Sequence, residues 1–159
     1  MQQERDPFEL LRERSIIAIL NGDTDFGEIQ PVDASSNIKV SMPYLSGPVL
    51  CDISNRFGLP AEYGWSGGGR SRWEYLDNLL KFCIEQDRIS DLLGFLFSKG
   101  QFVEKLKGHT PEVIESSYSK IVDTILGQIN GCLYFGGHEL TKVADRFVIK
   151  KIGSAVTIA

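Results

Sequence analysis

The spacing of apolar residues changes close to Gly136-Gly137, and this change constrains the fold more than any other feature of the chain. Before that point, apolar residues recur every three or four positions from residue 113 to 129, which predicts one long helix opening at Thr110-Pro111. After it, they recur mostly every second position, with turn signals at Asp145-Arg146 and Gly153-Ser154. The pattern therefore predicts a long helix followed by a β-hairpin of two or three strands.

Cap and stop residues divide the preceding part of the chain into four shorter helices. The first opens at Asp6-Pro7, because a capping Asp followed by Pro is typical of a helix start, and we expect it to run unbroken to Leu20. The other three helices are expected to start at Gly47-Pro48, Ser71 and Ser90. Two further segments are a short strand at 38–40 and a basic connector at 101–109.

These elements predict a single domain, residues 1–159, that is mainly α with a small C-terminal β-hairpin (α+β). The helical body covers about residues 5–135 and the hairpin about 138–159. A chain of 159 residues is long enough to bury a substantial core. We expect a helical bundle, and its long helix followed by a hairpin is similar in architecture to a winged-helix domain.

Charge and cysteine content exclude several classes of protein. A net charge of −4 and a pI of about 5.2 argue against a dedicated non-specific nucleic-acid binder, although a local basic face can exist on an acidic protein. The three cysteines are widely spaced and include no Cys-x-x-Cys pair, which predicts buried free thiols in the cytoplasm rather than disulfides or a zinc site. The longest apolar run, 16–20, is too short to cross a membrane.

The connection between the second and third predicted helices is the best candidate for a binding site. It is long for a helix–helix connection, and such loops are usually functional or mobile. Residues 64–71 have the spacing of a phosphate-binding P-loop with Arg in place of Lys, but the preceding residues do not form a convincing strand, which excludes a nucleoside triphosphatase. A glycine-rich loop at a helix N-terminus can still bind an anion. The candidate residues are Tyr63, Trp65, Gly67, Gly68, Gly69, Arg70, Ser71 and Arg72.

Two interpretations of this loop remain open. Arg70 and Arg72 can hold a phosphate while exposed aromatic residues stack on bases. Alternatively, the loop is a mobile surface segment in which Arg72 pairs with Glu74 or Asp77.

Basic residues elsewhere provide secondary candidates, although scattered lysines usually belong to the solvated surface. These are Lys105, Lys107, Lys120 and Lys150. The two histidines belong to no metal-binding or nuclease motif, and the sequence nominates no catalytic residue, metal site or cofactor.

Three segments together resemble the N-terminal domains of AbiJ-type abortive-infection proteins. They are MPYLSGPVLCDISNRFG, SRWEYLDNLL and INGCLYFGGHELTKVADRFVIKK, and the similarity spans roughly residues 38–151. The resemblance implies a sensor module of antiphage defence that precedes an RNA-cleaving HEPN effector domain, and it supplies no catalytic residue here. The 159 residues leave no room for a HEPN domain, so we expect either part of a longer protein or a domain that acts alone.

Three hypotheses for the function follow. The first is a non-enzymatic recognition domain that binds nucleic acid or another phage component through the glycine-rich loop. The second is a module that docks a partner protein or forms a homo-oligomer through apolar surface on the fourth helix, since a helix apolar on all sides must be buried in a core or an interface. That helix carries Leu92, Leu93, Phe95, Leu96 and Phe97. The third is an enzyme that acts on nucleic acid.

Overall fold

The computed structural model describes residues 6–32, 36–64 and 70–153, and within them the fold is mainly α with a small C-terminal β-hairpin, as predicted. The α-helices are α1 (Arg14–Leu20), α2 (Gly47–Arg56), α3 (Arg72–Glu85), α4 (Ile89–Leu96), α5 (Val103–Leu106) and α6 (Pro111–Tyr134). Two 3₁₀ helices span Pro7–Arg12 and Lys99–Phe102. Antiparallel pairs are formed by β1 (Glu28–Ile29) with β2 (Ile38–Lys39), and by β3 (His138–Val143) with β4 (Arg146–Lys151).

Side-chain caps fix the starts of the long helices close to where the sequence predicts them. The hydroxyl of Ser46 accepts from the backbone N–H of Val49 at the start of α2, and Thr110 does the same for Val113 at the start of α6. At the start of α3, Glu74 Oε1 accepts from the backbone N–H and the hydroxyl of Ser71. These local signals explain why the helix boundaries could be predicted.

The prediction of one unbroken first helix is wrong. The chain forms a 3₁₀ helix, adopts an extended conformation at Glu13 (φ −59°, ψ 139°), and then starts α1. Leu11 and Ile16 are both fully buried, and in a continuous helix they would point about 140° apart. The break turns both side chains towards the core.

Two other local predictions need correction. Ser90 does not cap α4; it is buried inside the helix, and its hydroxyl accepts from the backbone N–H of Phe147 on β4 over 2.8 Å. The connector predicted at 101–109 contains the end of a 3₁₀ helix and all of α5, because Phe102 and Leu106 are buried in the core and hold these turns against it.

The buried apolar residues form one cluster, to which α3, α4 and α6 contribute alongside the first two helical segments and residues 38–57. The hairpin closes one side of this core. Asn130 on α6 holds it there, since its amide nitrogen donates to the Leu140 carbonyl over 2.9 Å and its amide oxygen accepts from the Leu140 N–H over 2.6 Å.

The fourth helix, α4, belongs to this core. Leu92 and Leu93 are fully buried and Leu96 and Phe97 nearly so, whereas Phe95 is half-buried. The expectation of exposed apolar surface on this helix is therefore wrong. Of the two places where such a helix can be buried, the structure shows the core.

The long helix of this fold is not basic. α6 carries Glu112, Glu115 and Asp123 against Lys120, so it lacks the charge of a helix that would lie in a nucleic-acid groove. Within the part of the chain that the structure describes, no helix combines the length and apolar character needed to cross a bilayer.

Candidate ligand-binding site

The connection between α2 and α3 begins as a fixed segment rather than a free loop. The side chain of Asn55 donates to the Ala61 carbonyl over 2.8 Å and accepts from the Ala61 N–H over 3.1 Å. The hydroxyl of Ser54 donates to the carbonyl of Leu59 over 2.7 Å. These bonds hold residues 59–61 against the C-terminal half of α2. This part of the connection therefore has a fixed position and can line a cavity.

Arg72 acts as a clamp between segments that are distant in the sequence. Its Nε donates to the Leu45 carbonyl over 2.7 Å, and its Nη2 donates to the Asn21 carbonyl over 2.8 Å. Its Nη1 forms an ion pair with Asp23 over 2.6 Å, and the guanidinium lies 3.9 Å from the ring centre of Tyr44. Because these contacts occupy all three nitrogens, Arg72 is a structural residue here and pairs with Asp23 rather than with the acids proposed from the sequence.

The N-terminus of α3 already holds an anionic group of its own. The carboxylate of Glu74 accepts from Ser71, which places its negative charge at the positive end of the helix dipole. The carboxylate of Glu74 therefore occupies the helix N-terminus at which the sequence predicts a bound anion. Of the charged residues predicted at the loop, only Arg70 stays available to an outside group.

Arg70 lies on the rim of a cavity of about 340 Å³ between the 59–61 segment and one side of α3. Its lining residues are Ser54, Leu59, Pro60, Ala61, Arg70, Tyr75, Asn78, Lys81, Phe82 and Glu85. The volume is within the range of small-molecule sites, about 300–1,000 Å³. The hydroxyls of Ser54 and Tyr75 already donate to backbone carbonyls within the fold.

The cavity combines two unpaired cations with an amide. Among the residues that the structure describes, Arg70 and Lys81 form no ion pair, and the side chain of Asn78 forms no hydrogen bond. Glu85 is the one carboxylate among the described lining residues, where the cations are therefore in excess. Arg70 and Lys81 can bind a phosphate or another anion, and the side chain of Asn78 can form a hydrogen bond with a polar group of the same ligand.

The other residues predicted at this loop do not all join the cavity. The ring of Tyr63 is half-buried, packs against Tyr75 at 6.2 Å between ring centres, and covers Gly47 so closely that a Cβ there would lie 2.0 Å from it. It therefore supports the fold instead of standing exposed for stacking. Trp65 and Gly67, Gly68 and Gly69 lie outside the described residues.

The secondary basic residues are placed in different surroundings. Lys107 pairs with Glu104 over 2.7 Å and Lys150 pairs with Glu139 over 3.1 Å. Lys120 lies exposed on α6. Lys105 is different, because it is half-buried and lines another cavity.

Sequence reasoning missed Asn78 and Lys81. Both lie on α3, three residues apart, on the side of the helix away from its buried leucines. A polar stripe at positions 78, 81 and 85 is the signal that could have identified them, since residues three and four apart share one helix face.

Comparison of the chain with protein families, with characterised proteins and with solved structures gave no match.

Proposed function

We propose that this chain is a non-enzymatic recognition domain of a bacterial antiphage-defence protein, and that it binds a phosphate-bearing ligand in the cavity beside α3. The ligand class is nucleic acid or a nucleotide-like signal of phage infection. One observation carries the proposal: Arg70 and Lys81 line one cavity and have no ion-pair partner among the described residues. The defence context is supported by the resemblance of residues 38–151 to AbiJ-type N-terminal domains, in which a HEPN effector follows.

The arrangement favours binding over catalysis. In residues 6–32, 36–64 and 70–153, no three His, Cys, Asp or Glu side chains are grouped so that they could hold a metal ion. The cavity offers Arg70, Lys81 and Asn78, which can donate hydrogen bonds to phosphate oxygens or to a base edge. Its described lining residues include no histidine or cysteine. Contacts of this kind position a polyanion and are sensitive to salt.

The test is fluorescence anisotropy with labelled single-stranded RNA, single-stranded DNA and duplex DNA at several salt concentrations. The variant is Arg70→Ala/Lys81→Ala, which removes two cavity charges and leaves the Arg72 clamp intact. We expect weaker binding, and a slope of log K against log salt that is shallower by about 1.4 for a single strand if each residue contacts one phosphate.

The control removes the same charge elsewhere. The double variant Lys107→Ala/Lys120→Ala also lowers the net charge by two, but neither residue lines the α3 cavity. It should bind almost as well as the wild type. Equal losses in both variants would assign the binding to overall charge, and no binding of any probe at low salt would contradict direct recognition of nucleic acid.

A second candidate function is self-association through an apolar patch at the C-terminal end of α6. Tyr134 and Phe135 are 63% and 91% exposed, and Ile152 (44% exposed) is held nearby because its N–H donates to the Gly137 carbonyl. Exposed aromatic residues of this kind are enriched at protein interfaces. Sedimentation equilibrium tests the proposal: Phe135→Ser should lower the association constant of a dimer, whereas Val103→Ser, at another exposed apolar site, should not.

A further inference from the structure

A second cavity, of about 550 Å³, lies between the segment that follows β2 and the start of α5. Its lining residues are Gly22, Lys39, Ser41, Met42, Pro43, Tyr44, Leu45, Val49, Gln101, Glu104 and Lys105. The two lysines come from parts of the chain that are far apart in sequence. The fold, and not a sequence motif, therefore brings these cations together.

The ammonium group of Lys105 is half-buried and only partly satisfied. It donates to the hydroxyl of Ser41 over 2.9 Å, and the described residues provide no carboxylate within ion-pair distance. An ammonium has three donors, so donors remain for another acceptor. A buried cation without a carboxylate partner costs free energy unless an anion compensates it.

The charges around Lys105 leave an excess of positive charge. Burial first, and then the nearby charge of Lys39, lower the pKa of Lys105, and Asp25 opposes them. Glu104 also lines the cavity, but its carboxylate is paired with Lys107. A bound anion would relieve both the burial and the repulsion between the lysines.

One wall of this cavity is held in place by several contacts within the fold. Gly22 has a φ of +86° and lies against the segment that follows β2. The two are so close that a Cβ at Gly22 would be 2.6 Å from the Pro43 carbonyl oxygen. The N–H of Leu45 donates to the Asn21 carbonyl. Arg72 donates to the carbonyls of both Asn21 and Leu45. A wall fixed in this way costs little conformational entropy when a ligand binds.

The same wall carries an aromatic ring. Tyr44 is 64% exposed although the guanidinium of Arg72 lies over it, and Val49 (40% exposed) lines the cavity beside it. Aromatic rings on a basic site stack on nucleobases, and the guanidinium fixes the orientation of this one.

We propose that this cavity is a nucleotide site in which Lys39, Lys105 and Ser41 hold a phosphate group and Tyr44 contacts the base. The site is separate from the Arg70 cavity and does not depend on it. A free mononucleotide and the phosphorylated end of a nucleic-acid strand share this chemistry.

Isothermal titration calorimetry of the full chain with AMP, adenosine and a 5′-phosphorylated or 5′-hydroxyl trinucleotide tests the proposal. We expect AMP, the phosphorylated trinucleotide or both to bind, and adenosine and the 5′-hydroxyl strand to bind at least tenfold more weakly. Binding of AMP indicates a free nucleotide as the natural source, and binding of the phosphorylated strand alone indicates a strand end.

Variants locate the binding. Lys105→Met should weaken it at least tenfold, and Lys39→Ala, at an exposed position where the fold does not depend on the side chain, should weaken it severalfold. Lys120→Met is the charge control, because Lys120 lies exposed on α6 and lines neither cavity. Arg70→Ala/Lys81→Ala separates this site from the α3 cavity. Both variants should leave the affinity unchanged. Equal binding of adenosine and AMP, no binding of any probe, or full affinity in the Lys39 and Lys105 variants would overturn the proposal.

Discussion

Replacing Arg72 should destabilise the domain strongly, because its guanidinium joins α3 to two segments that are distant in the chain. Each of the two hydrogen bonds from the guanidinium to a backbone carbonyl contributes about 1.5 kcal/mol to stability. This is the lower end of the range for charged donors, and it is used because the Arg72 side chain is 22% exposed to solvent. The ion pair with Asp23 is more exposed and adds about 0.5 kcal/mol, as does the contact with Tyr44. We therefore expect Arg72→Ala to lower the free energy of unfolding by about 3–4 kcal/mol.

Urea denaturation followed by circular dichroism at 222 nm measures this loss, and thermal unfolding gives an independent estimate. At about 2–4 °C per kcal/mol for a domain of this size, Tm should fall by about 10 °C. Arg72→Lys keeps the charge, but a single ammonium cannot reach all the acceptors, so a loss of about 2 kcal/mol is expected. The control is Arg70→Ala, which should change the stability by no more than about 0.5 kcal/mol. A value below 0.5 kcal/mol for Arg72→Ala, or a larger loss for Arg70→Ala, would refute the clamp.

Two further predictions concern the hairpin and the thiols. Asn130→Ala leaves the N–H and the carbonyl of Leu140 without their partner, so it should lower the free energy of unfolding by about 2 kcal/mol. Amide hydrogen exchange across residues 138–151 should become faster. Unchanged exchange there would show that Asn130 does not hold the hairpin. The prediction of buried thiols is confirmed for Cys51 and Cys83 and is wrong for Cys132, which is exposed on α6. In the native protein at pH 8, iodoacetamide should therefore alkylate Cys132 quickly and spare Cys51 and Cys83, because burial raises the pKa of both buried thiols, that of Cys83 to about 11. Similar rates for all three cysteines would contradict this assignment.

The parts of the fold that follow from short-range signals could be predicted from the sequence. The starts of α2, α3 and α6 depend on cap residues within three positions, and the hairpin follows from an alternation of apolar residues. The pairing of β1 with β2 was missed, since β1 has only two residues and gives no periodic signal. The break at Glu13 depends on how Leu11 and Ile16 share one core, and no local residue marks it.

The role of Arg72 could not be predicted for a related reason. Sequence reasoning considered acids within one or two helical turns, but Glu74 is used by the cap of α3, and Asp77 is bound by Arg12 from 65 residues away. The acid that Arg72 does bind, Asp23, lies 49 residues from it in the sequence. Ion pairs form between groups that are close in space, and these groups can be far apart in the sequence. Charges that are neighbours in the sequence therefore do not identify the partner of Arg72.

One residue that the sequence nominated at this loop, Arg70, lines a cavity in the structure, and whether that cavity binds a ligand stays a prediction. The connection before α3 was identified by its length and composition, and Arg70 lines a cavity there. Asn78, Lys81 and the Lys39–Lys105 pair become visible only when the helices and the β1–β2 pair are placed in three dimensions. Cavities are formed between elements, and the sequence indicates the elements better than the spaces between them.

An NMR titration of the ¹⁵N-labelled domain with a single-stranded RNA oligonucleotide tests the central proposal most directly. The side-chain Nε–H of Arg70 and the side-chain amide of Asn78 report on the α3 cavity. The side-chain amide of Asn130, which lies on α6 and is hydrogen-bonded to the hairpin, is an internal control. We predict saturable shifts of the first two resonances, with Asn130 unchanged, and smaller shifts at the same RNA concentration in Lys81→Ala. Shifts that avoid the cavity, or none at low salt, would contradict recognition at this site.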